Sequence, residues 1–61
     1  MSPDELANRI IEFEAKNDIT DSALAFASHL SVEKIHAMKQ ARNNYTTEEN
    51  ERILEYIQTN S

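Results

Sequence analysis

Hydrophobic residues near the start of the chain recur at helical spacing: Leu6, Ile10 and Phe13 fall on one stripe, Ala7 and Ile11 lie at its edge, and Arg9, Glu12 and Lys16 face away. The pattern predicts a helix with one buried face. Ser2-Pro3-Asp4-Glu5 gives it a start signal, with Ser2 in the cap position, Pro3 at the first helical position and Glu5 placed for a capping box. Asn17-Asp18 breaks the pattern. Thr20 or Asp21 then offers a cap for a second helix ending at Ala27 or Ser28, and Ser31 caps a third that ends at Lys39 or Gln40. The rival arrangement joins the second and third helices into one rod, against which Ser31 is the main argument. After the polar connector Arg42-Asn43-Asn44, Thr46-Thr47-Glu48-Glu49 repeats the capping-box signature ahead of a fourth helix carrying Ile53, Tyr56 and Ile57 on one side.

Composition narrows this to an all-α fold. Glycine is absent and proline occurs once, at Pro3, which removes the usual turn residues of β-hairpins. A compact domain of four helices, five at most, is expected over residues 1–58, with residues 59–61 as a short tail. At 61 residues the core must be small, since a domain of this size buries only roughly 60% of its unfolded surface. No cysteine is present to form a disulfide, so stability must come from packing, caps or self-association, and a homodimer is a reasonable expectation. The lack of cysteine, of a signal-peptide pattern and of a long apolar run leads us to expect a complete, cytoplasmic chain that does not enter a membrane.

The stretch TDSALAFASHLSVEKIHAMKQ carries a more specific likeness. Its polar cap Thr20, the pair Leu24-Ala25, a small turn, the second cap Ser31 and then Ile35, with Leu30 and Met38 as further apolar positions, resemble the helix-turn-helix of the phage-repressor-like (Cro type) proteins. The likeness covers nearly the whole chain, because the first and fourth helices also lie where that family places them. It implies a lambda-repressor-like fold and a small transcriptional regulator that binds double-stranded DNA, as a two-fold dimer reading half-sites about one helical turn apart. Departures from the family pattern accompany it. His29 stands where the turn usually has glycine, Ser28 where a large aliphatic residue is usual, and Phe26 falls roughly opposite Leu24 on the helical wheel. Ser28 then needs a hydrogen-bond partner such as a carbonyl one turn back, and either the second helix is rotated or Phe26 is exposed. The family often ties its first helix to the end of the third by a basic and an acidic residue. Glu14 and Lys39 occupy those positions with the signs exchanged, so an ion pair is expected between them.

On this likeness the base-facing positions are Val32, Glu33, His36 and Ala37, with Lys34 nearby. Backbone contacts would fall to Ser31, Lys39, Arg42, Asn43 and Asn44. Charge bears on this in two directions. The net charge is -5, but residues 29–46 set Lys34, Lys39 and Arg42 against Glu33 alone, so the acid is concentrated in the flanking helices. Asp21, at the head of the second helix, would repel a phosphate there. None of the reader positions holds the Arg, Asn or Gln that makes bidentate base contacts.

Other chemistry is poorly provided for. His29, Glu33 and His36 would share a face only on an unbroken helix, and the turn after His29 interrupts it, so no metal is expected. No cofactor or catalytic residue is expected either, because so small a domain has no deep cleft to orient a triad. The alternative to DNA binding is a protein interaction module on the same scaffold, with Phe26, Leu54 and Tyr56 as its docking face.

Overall fold

The capping residues read from the sequence are where the helices begin. In the computed structural model, which describes residues 1–60, Ser2 opens α1 (Pro3–Asn17). Ser2 Oγ accepts the Glu5 amide at 3.2 Å, and the Ser2 amide donates to Glu5 Oε1 at 3.4 Å, which satisfies donors that a bare helix end would leave open. Thr20 Oγ1 accepts from the Ala23 amide at 3.1 Å and starts α2 (Asp21–Ser28); Ser31 Oγ accepts from the Lys34 amide at 3.1 Å and starts α3 (Val32–Lys39). The second and third helices are therefore separate, and the rod is excluded. Thr46 and Glu49 form a second reciprocal box, at 2.8 and 3.1 Å, ahead of α4 (Thr47–Asn60). Helix α4 runs two residues into the stretch expected as a tail, where the Asn60 side-chain amide donates to the Tyr56 carbonyl at 2.9 Å. Ser61 lies outside the described residues.

Three helices end without glycine. Asp18, His29 and Ala41 adopt left-handed backbone at φ 54°, 61° and 62°. After α2, the Leu30 amide reaches back to the Ala25 carbonyl at 2.9 Å and the His29 amide to the Phe26 carbonyl at 3.3 Å, a Schellman closure. Arg42 and Ala41 repeat it after α3, bonding the Ala37 and Met38 carbonyls at 3.0 and 3.1 Å. A left-handed residue with a Cβ costs about 1–2 kcal/mol, and Asp and His tolerate it better than most. Ala41 therefore carries the larger strain.

Leu6, Ile10 and Phe13 of α1, Leu24 and Ala25 of α2, Ile35 and Met38 of α3, and Ile53 and Ile57 of α4 close into a single core. Burying a side chain such as Leu24 or Ile35 completely contributes about 1.5–3 kcal/mol, so this cluster is the main favourable term for a chain with no covalent staple. Helix α3 packs against both α1 and α2, and an edge-to-face contact of Phe13 with Tyr56, centroids 5.7 Å apart, ties α1 to α4. Principal extents of 25 × 20 × 19 Å leave space for only this one core. Ser28 is buried with its hydroxyl donating to the Leu24 carbonyl at 2.7 Å, so the polar group between α2 and α3 is satisfied within its own helix. Phe26 is 87% exposed, which settles the alternative posed by the sequence: α2 keeps Leu24 inward and leaves the ring in solvent. No helix among the described residues is long and apolar enough to cross a membrane.

Candidate functional site

The exposed side of α3 and the turn before it form the candidate site. Glu33 and His36 are exposed there, and with Gln40, Arg42 and Asn44 they surround a shallow depression floored by Ala37. Ala37 is itself buried and Val32 packs against the core, so of the positions expected to face bases only Glu33 and His36 are exposed. Lys34 is half-buried. Of the positions expected on the backbone, Ser31, Arg42, Asn43 and Asn44 are exposed, while Lys39 is turned inward to other partners.

Those partners define the electrostatics. Lys39 Nζ lies 2.8 Å from Glu14 Oε1 and 2.9 Å from Asp21 Oδ1, and His36 Nε2 lies 2.7 Å from Asp21 Oδ2. One carboxylate from α1 and one from α2 thus hold the last turn of α3. At the other end of that helix, Lys34 Nζ donates to the Asn44 carbonyl and pairs with Glu49 Oε1 at 3.4 Å. The expected Glu14 to Lys39 ion pair is present, and its acidic member is out of solvent: Glu14 is buried, and its Oε2 has no hydrogen-bond partner. Burial pushes the Glu14 carboxyl above its ordinary range, the Asp21 carboxylate beside it adds to the rise, and Lys39 opposes it. Asp21 is held low, first by the Glu14 carboxyl next to it and then by Lys39. Lys39 is raised by its hydrogen bonds to Glu14 and Asp21. Glu49 is lowered chiefly by the Thr46 backbone amide, with Lys34 adding to it.

Two functional features escaped the sequence reading. Asp21 was placed at a phosphate position but not against Lys39 and His36, and no spacing rule links residues eighteen apart across a turn. Glu49 was read as a capping residue only. A signal did exist for Glu14: it stands four residues after Ile10, on the edge of the core stripe, where a charged residue needs a buried partner.

The apolar docking face expected from Phe26, Leu54 and Tyr56 is divided. Leu54 and Tyr56 are partly buried against the core, and Phe26 alone stands clear in solvent. Among the described residues no group of three His, Cys, Asp or Glu side chains is placed to hold a metal ion. No protein-family model matches the chain, and no curated protein or solved structure matches it either.

Proposed function

We propose that the protein is a non-catalytic binding module that keeps a helix-turn-helix scaffold and takes a protein, rather than DNA, as its partner. The observation that carries this reading is the pairing of the α3 lysines within the domain: Lys34 with Glu49, and Lys39 with Glu14 and Asp21, while the same Asp21 also engages the His36 ring at 2.7 Å. Phosphate contacts supply most of the affinity of a DNA-binding domain, and they need cations that give up solvent and mobile counterions. At Lys39 the counterions are carboxylates of the same domain, held at 2.8 and 2.9 Å. A phosphate approaching Lys39 meets the Asp21 carboxylate with it. The exposed ring of Phe26 supports a protein partner.

The second reading is a small DNA-binding transcriptional regulator acting as a homodimer. It is favoured by Arg42, which is exposed and forms no ion pair among the described residues, beside the exposed amides of Asn43 and Asn44. One experiment separates the two. Backbone amides of the labelled protein are followed by NMR during titration with mixed-sequence duplex DNA at low salt, then at high salt. We expect no clustered shifts over residues 31–44. Shifts clustered there that vanish with salt would establish the DNA reading. Repeating the titration on Asp21→Asn checks the cause, because removing that carboxylate should increase any residual DNA affinity.

A further inference from the structure

The chain has six lysine and arginine residues. Lys34, Lys39 and Arg52 hold carboxylates within the domain. Among the described residues Arg9, Lys16 and Arg42 do not, and two of these three flank a single groove. Arg9 and Lys16 stand seven residues apart on α1, which puts them on one face and about 10 Å apart along the helix axis. The groove beside them has Phe13 and Ile57 as its floor, with Glu12 and Ala15 on its side. Both floor residues belong to the core, and they are 5% and 8% exposed at this edge of it. The result is an apolar strip with an unpaired cation at each end, on a protein whose net charge is -5.

We propose that this groove docks an acidic amphipathic segment of a partner protein, with two carboxylates about two helical turns apart meeting Arg9 and Lys16 and an apolar side chain between them seated on Phe13 and Ile57. The assignment rests on the reading of the chain as a protein-binding module and names the chemistry of its partner. Charge selects the occupant. A basic segment would be repelled by both ends of the groove and drawn instead to the acidic outer side of α4, where Glu48, Glu51 and Glu55 lie. The negative charge of the whole protein does not forbid an acidic partner, because exposed charges further off than about 8 Å are largely screened at physiological salt. Glu12, between the two cations, disfavours a third carboxylate at the centre and leaves that place to an apolar group.

The test uses the labelled full chain and a synthetic helical peptide with glutamates seven residues apart and leucine and phenylalanine between them; a counterpart carries lysines in place of the glutamates. We expect saturable amide shifts over residues 9–16 and at Ile57 with the acidic peptide only. Affinity should fall about tenfold in Arg9→Gln/Lys16→Gln, two exposed helix positions whose replacement leaves the core intact. The proposal is overturned by any of four results: no shifts, shifts centred on Phe26, equal binding of the lysine peptide, or affinity unchanged in the double variant. Shifts at the groove that depend on protein concentration without peptide would also overturn it, by making a second copy the occupant. Duplex DNA added to the same sample reads the other question separately: shifts over residues 31–44 would sink the protein-binding reading without touching the groove result.

Discussion

The two ends of α3 carry the same kind of residue and treat it differently. At the amino end Lys34 meets Glu49 at 3.4 Å and a loop carbonyl, near solvent; at the carboxyl end Lys39 meets Glu14 and Asp21 at 2.8 and 2.9 Å, with Glu14 buried. A lysine at the amino end adds little, because water would serve either ion nearly as well. At the carboxyl end the carboxylate is already out of water, and its stability depends on the cation remaining there. The amino end is also closed by a well-suited cap, Ser31, whereas the carboxyl end is closed by a strained alanine, Ala41. The scaffold is therefore relaxed where α3 begins and held under electrostatic and backbone constraint where it ends.

Breaking the buried end should have the largest effect. Lys39→Met leaves Glu14 and Asp21 facing each other without their cation, and we expect a loss of about 2–3 kcal/mol at neutral pH, below the full cost for a buried pair because Lys39 keeps some solvent contact. Urea unfolding measures it, and an unchanged midpoint would show the pair to be dispensable. The next effect is on pH dependence. Burial raises the Glu14 pKa above its ordinary 4.5, so the folded protein takes up a proton before the unfolded chain does. This site adds stability as pH falls from neutral towards 4.5, and nothing further below that. Asp21 acts in the opposite sense: its pKa is lowered, so its contribution is present above its ordinary 3.8 and is lost as pH falls through its folded value. Glu14→Gln removes the first effect and alters the second, because the Glu14 carboxyl is the main group holding Asp21 low. The stability difference between the parent protein and Glu14→Gln should change between pH 7 and 4.5; a difference constant over that window would remove Glu14 as a titrating site.

The same contrast explains what could be read from the sequence. Helix starts were legible because each is written in a few adjacent residues: Ser2 with Glu5, Thr20, Ser31, and Thr46 with Glu49. The core stripe of α1 and the carbonyl partner of Ser28 were also legible, because helical periodicity sets which residues share a face and lie one turn apart, and the Glu14 to Lys39 pair was expected from the resemblance alone. What failed to show depends on distance through space. The closeness of Asp21 to both Lys39 and His36 is set by how α2 turns on His29 and packs on α3, and local spacing carries no trace of it. Val32 and Ala37, assigned to bases by position in the motif, lie partly buried against the core and buried in it respectively, which position in the motif does not reveal. Acidic and basic totals by segment carry no trace of pairing either: Lys34 and Lys39, two of the three cations of residues 29–46, meet carboxylates from α1, α2 and α4, and Arg42 meets none among the described residues.

Two smaller measurements sharpen the comparison. Ala41→Gly removes the Cβ that a left-handed residue must accommodate while keeping the closure onto Met38 and Ala37, and the gain should be close to 1 kcal/mol in spite of the greater freedom glycine gives the unfolded chain. A loss would mean that the strain at this end is absorbed elsewhere. Lys34→Met should give the smallest change, with no measurable shift of the unfolding midpoint, because both Lys34 and Glu49 reach solvent and Glu49 keeps its bond from the Thr46 amide. A clear loss would show that Lys34 braces the 40–46 connector through the Asn44 carbonyl. In that case α3 would be held at both ends, and Lys34 would be even less free to meet a phosphate than its ion pair alone implies.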